Sequence, residues 1–442
     1  MRLVSITIKP KHRLGFLLLL GSFTANAQEN SPYSRYGIGD IFPGQHIINR
    51  GMGGITAAYR DPLGQSVNFS NPASLSSIAL VTYDIGITID NRKLRSADVI
   101  KKFNSTNFTP SYVVLGLPVS KKRNIGLAFG LRPLSKINYS VIDRRRVEGI
   151  DSLSSLYEGN GGLYQGFMGI GKRWGSLSLG INGAYNFGRK ETNTKVIFSN
   201  DTVNYQYSNY STVTTYNKLA VEAGLQYQFK TSKNSQLRLG VAAKLKHRLN
   251  ASQDKTRETF FYDANGATVA VDTALSQPEI KGTIAIPATY TAGIAFETQT
   301  AEKLTRTLFS AEYESTKWSD YRFFGQPDKL IDNWHMRVGA QLSPDYLHAK
   351  TFLSRITYRT GFFYGKDYIN ADGNELKSYG LTFGLGFPVL KRSNYTNQYS
   401  NIHTAFEIGK RGNGVNNITE NFFRFSFGFS LSDIWFIKRK YD

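Results

Sequence analysis

From residue 80 onward the chain alternates. Val81, Tyr83, Ile85, Ile87 and Ile89 are large and apolar, whereas Thr82, Asp84, Gly86, Thr88 and Asp90 between them are small or polar. A period of two marks a strand with one apolar face. The same pattern predicts fourteen strands, near residues 80–90, 108–118, 124–133, 162–172, 176–188, 218–230, 236–250, 286–298, 305–315, 333–343, 354–365, 377–388, 401–410 and 420–431. Two are especially regular. Leu177, Leu179, Ile181, Tyr185 and Phe187 alternate with Ser178, Gly180, Asn182, Ala184 and Asn186, and Tyr379, Leu381, Phe383, Leu385 and Phe387 alternate with Gly380, Thr382, Gly384 and Gly386.

The polarity of the two faces decides the class. A soluble barrel fills its interior with large apolar side chains, but here the small and polar face is the one that fits inside, leaving aliphatic and aromatic residues outward. Leu237, Leu239, Val241, Ala243 and Leu245 oppose Arg238, Gly240, Ala242, Lys244 and Lys246, and three cations on one face suit a wet lumen. The connections 120–124, 172–175, 231–235 and 299–303 are short and those between them long, with 189–217 and 250–283 rich in Tyr, Thr and Asn. Outer-membrane barrels alternate short periplasmic turns with long external loops in this way. Phe423, Phe425, Phe427, Phe429 and Leu431 form an aromatic closing strand, followed by Trp435, Phe436, Lys438, Arg439 and Lys440 as interfacial anchors. The expected fold is all-β, an antiparallel transmembrane β-barrel of about 14 strands.

The N-terminal part reads differently. Arg2, Lys9, Lys11 and Arg13 precede the apolar run 14–23 and the small-residue site Ala25-Asn26-Ala27, the order of a secretory signal peptide. Expected boundaries are therefore a signal peptide at 1–27, a Gly-rich segment at 28–79 and a barrel at 80–442. With 54 Lys+Arg against 33 Asp+Glu the formal charge is +21. An exported chain without a long basic run points away from nucleic acid and towards anionic lipid headgroups, lipopolysaccharide included, or an anionic solute. The chain has no Cys, which removes disulfides and thiolate metal sites.

Two segments resemble a known family. Arg50-Gly51-Met52-Gly53-Gly54-Ile55-Thr56-Ala57-Ala58, followed by Asn68-Phe69-Ser70-Asn71-Pro72-Ala73-Ser74-Leu75, is similar to the N-terminal plug of the long-chain fatty-acid outer-membrane transporter (FadL-like) superfamily, which includes related type 9 secretion shuttle barrels. The run 284–294, with Ala311-Glu312-Tyr313 and Trp318-Ser319-Asp320-Tyr321, resembles mid-barrel strands of the same superfamily. The resemblance implies a fourteen-stranded barrel in a Gram-negative outer membrane, with residues 28–79 inside as a hatch containing Asn71, Pro72 and Ala73. It also implies passive, cofactor-free passage of small hydrophobic molecules.

Individual residues sharpen these expectations. Asn71 before Pro72 favours an extended backbone whose side chain bonds to nearby main chain. Pro133, after Gly130, ends the third strand or breaks its pairing, because proline has no N–H to give a ladder; the resemblance implies that such a break in the third strand would serve as a lateral gate. Arg132, Arg238 and Lys244 face the lumen by alternation, either anchoring an anion or pairing with carboxylates. His247, alternating with Leu245 and Leu249, faces lipid. No catalytic, cofactor or metal motif emerges: 169–175 lacks phosphate-loop spacing, and the six histidines are not spaced as ligands. Two functions remain, uptake of hydrophobic solutes such as fatty acids, or a non-transporting accessory or shuttle subunit that binds outer-membrane protein partners.

Overall fold

A computed structural model describes residues 31–95, 102–148, 151–199, 205–300, 305–345, 351–371, 373–390, 399–412 and 418–433. The expected signal peptide, residues 1–27, and the residues 435–440 lie outside the described residues. Fourteen antiparallel wall strands form one closed sheet. They are β1 (Val81–Arg95), β2 (Lys102–Ser120), β3 (Ile125–Val147), β4 (Asp151–Trp174), β5 (Leu177–Ser199), β6 (Tyr207–Lys230), β7 (Ser235–Lys244, continued by His247–Tyr262), β8 (Thr268–Ile286, continued by Thr289–Gln299), β9 (Arg306–Thr316), β10 (Asn333–Ser343), β11 (Thr357–Ala371), β12 (Asn374–Leu390), β13 (Tyr399–Arg411) and β14 (Thr419–Asp433). Each wall strand pairs with its sequence neighbours. The first and last close the ring from Val81 opposite Asp433 to Arg95 opposite Thr419.

The face assignment made from alternation holds. Ile85, Met168, Ile181, Leu219, Phe309, Val338, Leu381 and Ile408 are exposed on the outer surface, whereas Thr82, Asp84, Asn182, Gln226, Thr382, Ser426 and Ser430 are buried inside. Large apolar residues on the outside and amides and hydroxyls within are what lipid outside the ring selects.

Strand lengths depart from expectation. About ten tilted residues cross a membrane, yet β4 and β6 each contain 24. The stretches 189–217 and 250–283, read as loops, are mostly strand, and 263–267 forms a tight turn at a hairpin tip. Above the lipid both strand faces meet polar surroundings, so the period of two fades while the ladder continues. Turns at the opposite end are short, as expected, such as Lys121–Asn124 and Gly175–Ser176. Both chain ends of the wall also lie there, which makes it the periplasmic end.

Residues 31–80 occupy the interior. A one-turn helix α1 (Ile47–Arg50) is capped by His46, whose side chain accepts from Ile48 N, and a 3-10 stretch runs over Pro72–Ser77. Ile47, Met52, Ile55, Ala57, Val67, Ala73 and Leu75 are fully buried. The wall is shaped to receive them. A Cβ on Gly126 would overlap Leu75 O, one on Gly180 would overlap Pro72, one on Gly240 would overlap Ala57 O, and one on Gly361 would overlap Gly53 N. Inward glycines allow backbone to lie directly on backbone.

Candidate functional site: the lumen, its plug and its seam

Polar side chains of the wall reach inward and hold the interior segment. Glu312 on β9 accepts from Thr56 N and Ala57 N, both at 2.6 Å, and is paired with Arg337 of β10 at 2.9 Å. Arg50 of α1 donates to Glu407 of β13 at 2.5 Å and to Thr88 of β1 at 2.7 Å. From Glu407 the charges continue through Arg424, Asp90 and Arg92 to Asp40, which Arg411 also reaches at 2.7 Å. Alternating signs at these distances allow so many ions to stay buried together.

Asn71 lies in an extended conformation before Pro72, and its Oδ1 accepts from Ala73 N at 3.0 Å. Its Nδ2 donates to Ala57 O at 2.6 Å and to Val241 O of β7 at 3.3 Å, joining two parts of the segment to the wall. Pro72 and Ala73 are buried with it.

The three lumen cations separate into two kinds. Arg132 pairs with Glu222 of β6 at 2.8 Å, donates to Gln165, and lies over the rings of Phe69 and Phe167. Arg238 pairs with Glu297 of β8 at 3.0 Å and donates to Ala58 O. Lys244 instead faces a lumenal cavity of about 310 Å³ and makes no ion pair among the described residues. Lys246 has left that face: the strand breaks at Leu245 and Lys246, and its ammonium sits 3.4 Å from Asp320. The same break corrects the placement of His247. Its parity shifts, so it lines the cavity and contacts Asn186 at 2.9 Å instead of facing lipid.

That break is matched on the neighbouring strand at Pro287 and Ala288. Above it, the segment 317–332 turns inward. Trp318 and Tyr321 are buried with Tyr33, Leu163, Ile284 and Tyr368, and the cluster caps the lumen towards the outside. The Trp-Ser-Asp-Tyr motif, expected among the mid-barrel strands, instead forms a 3-10 turn and supplies a lid of rings.

The wall is incomplete at one seam. β2 and β3 pair from Val113 opposite Leu131 down to Ser120 opposite Ile125; above that level β2 pairs with β1 alone and β3 with β4 alone. Gly130 and Pro133 lie at this fork. Pro133 does not end the strand, which continues to Val147; it stays opposite Tyr164, and the register slips directly after it, with Leu134 as the extra residue of a bulge. The free edge of β3 is covered by the interior segment, with Asp40 opposite Lys136 and Ile41 opposite Ser135, and Phe42 N donating to Leu134 O at 2.9 Å. Ile41 is partly exposed, and it lines the lumenal cavity. Across the gap Lys136 Nζ donates to Asn107 Oδ1 at 2.5 Å. Behind the patch, Ile38, Asp40, Ile41, Phe42 and Leu134 line the 310 Å³ cavity.

One buried cluster has the composition of a hydrolytic site without its geometry. Ser430 donates to Asp84, and His46 lies 3.3 Å from the same carboxylate. The hydroxyl is on the acid rather than on the imidazole, so no base stands ready to activate it. Asp84 also accepts from Val67 N at 2.8 Å, so the cluster holds the interior segment in place.

The BamG family profile matches residues 10–442. The chain belongs to the BamG family. No curated protein matches it. Solved structures share the barrel over nearly their whole length: a Pseudomonas aeruginosa FadL homologue (TM-score 0.54, 12% identity, 89% of this chain and 99% of that chain), the Ralstonia pickettii toluene transporter TbuX (0.53, 14%, 88% and 98%) and the Pseudomonas putida toluene transporter TodX (0.51, 16%, 89% and 98%). At such identities the likeness is one of fold: this BamG-family chain has the barrel fold of those structures. The resemblance read from the plug and mid-barrel motifs holds at that level.

Proposed function

We propose that the barrel takes up small hydrophobic solutes passively, with residues 1–27 as an export leader, residues 28–79 as the hatch, and the seam at Gly130 and Pro133 as a lateral gate. The observation that carries this reading is the contact between the lumenal cavity and the missing β2–β3 ladder, where the short ribbon at Asp40 and Ile41 takes the place of the wall. A solute in the cavity would reach the membrane sideways by displacing that ribbon, while the rest of the hatch stays in its ion pairs. The route needs no energy source and no catalytic group, and the toluene transporters of like fold support the choice of solute class. Lys244, as the unpaired cation of the cavity, is the residue of the three that would meet a solute carboxylate.

Because the chain has no Cys, a disulfide placed at Ile41→Cys with Ser135→Cys tests the gate cleanly. Oxidised protein should lose uptake of a labelled fatty acid or of toluene by cells, with recovery on reduction; equal uptake in both states overturns the lateral route. Asp40→Asn, which weakens the tether to Arg92 and Arg411, should act in the opposite direction and raise uptake.

A second reading is favoured by a separate observation. The hatch is fixed by Glu312, Glu407 and Asp84 and seated on wall glycines, which suits an accessory or shuttle subunit of an outer-membrane secretion or assembly machine, as does membership of the BamG family. Stoichiometric protein partners after extraction in mild detergent, with no bound lipid or fatty acid, would favour it over transport.

A further inference from the structure

The periplasmic end of the lumen is a second, larger hollow of about 1040 Å³, separate from the cavity above the hatch. Its floor is the hatch turn around Arg60 and Asp61, and its rim is made by the short turns between strands. Five cations stand around the rim: Lys121, Arg173, Lys230, Lys233 and Arg306. None makes an ion pair among the described residues. Arg173 donates to Asn124 Oδ1 at 2.9 Å and Arg306 to Pro62 O at 2.9 Å, which orients them without neutralising them.

The floor adds to this charge. Arg60 is buried, yet it finds only neutral acceptors, Ser178 Oγ at 2.9 Å, Gln228 Oε1 at 3.1 Å and Gln226 Oε1 at 3.3 Å. Its Nε has no hydrogen-bond partner among the described residues. The two acids among its described lining residues are already engaged: Glu297 with Arg238, and Asp61 with the backbone N–H groups of Leu63 and Gln65. This contrasts with the lumen above, where Arg50, Arg132, Arg337 and Arg424 each face a carboxylate at 2.5–3.5 Å. The surplus positive charge at the mouth is therefore local.

We propose that this vestibule is a docking site for an acidic, extended peptide segment of a periplasmic protein partner. A single small anion would use only a fraction of the hollow, whose volume lies at the top of the range for drug-sized ligands, about 300–1,000 Å³. Several residues of chain with spaced carboxylates match the ring of cations. Asn234, Gln299 and the Nδ2 group of Asn124 at the same mouth offer amide partners for a peptide backbone. Its lining comes from the interior segment and from residues at the periplasmic ends of the strands. Opposed charges of this kind steer association and set specificity. The proposal concerns the mouth alone and stands whether or not the seam passes solute.

The full barrel in detergent micelles would be titrated with a fluorescently labelled twelve-residue Asp/Glu-rich peptide and with its Asn/Gln counterpart, reading anisotropy. Binding of the acidic peptide alone is expected, weakening steeply between about 50 and 300 mM salt as screening shortens. The triple variant Lys121→Glu, Lys230→Glu, Lys233→Glu should weaken it by at least roughly tenfold. The milder Lys121→Gln with Lys233→Gln should weaken it less, and Lys244→Gln, in the upper cavity, should leave it unchanged. Equal binding of both peptides, no binding at low salt, full displacement by millimolar inorganic phosphate, or dependence on Lys244 instead of the rim would each overturn the assignment.

Discussion

At the scale of single residues, the interior is governed by where each buried charge finds its opposite. Removing one partner of a buried pair leaves the other without compensation, typically at a cost of about 3–5 kcal/mol. Arg50→Met should therefore lower the stability of the folded barrel by roughly 3 kcal/mol, because Glu407 then keeps only Arg424 at 3.5 Å. Adding Glu407→Gln should restore much of the loss. Denaturant midpoints in detergent, followed by the gel shift between folded and unfolded barrel, measure both; an Arg50→Met barrel as stable as the parent would show that the hatch is held by packing alone. Arg132 and Arg238 obey the same rule, each already holding a carboxylate. Their inward direction was legible from alternation; Glu222 and Glu297, on strands far away in sequence, were not.

At the scale of elements, glycine on the inner face makes the hatch possible. Gly240→Val puts a side chain where Ala57 O now lies, and no neighbouring rotamer change can relieve a clash with backbone. It should loosen residues 51–60 from the wall, detected as new protease cleavage within the hatch while the outer barrel stays folded. Gly183→Val is the control, since nothing lies within 4 Å of its added Cβ; it should resist protease like the parent. Strand breaks matter in the same way. The paired interruptions at Leu245–Lys246 and Pro287–Ala288 turn His247 inward and let 317–332 fold over the lumen. Pro287 advertised the break on its own strand, but its counterpart on β7 follows no local signal and is imposed by pairing.

For the whole molecule, closure is the dominant property. The ring cluster around Trp318 and Tyr321 covers the outer end, the hatch fills the middle, and the seam is patched by Asp40 and Ile41. Reconstituted into planar bilayers, the intact chain should show no steady ion conductance, unlike an open porin. A large, constant conductance would mean that the hatch leaves the lumen readily, and would favour axial over lateral passage. Asp40→Asn should at most add brief openings, since it loosens the wall patch and not the hatch.

The sequence alone settled the number of wall strands, which face of each meets lipid, and the presence of a Gly-rich segment ahead of them. A hydrocarbon solvent acts on every crossing strand separately, so its demand for apolar residues at every second position is written locally. Folding in space decided the rest: which carboxylate meets which cation, how far the strands continue beyond the membrane, where the ladder between β2 and β3 stops, and that uncompensated positive charge gathers at the periplasmic mouth. Those features join residues separated by tens to hundreds of positions, and a charge or a glycine in a list carries no mark of the distant group placed against it.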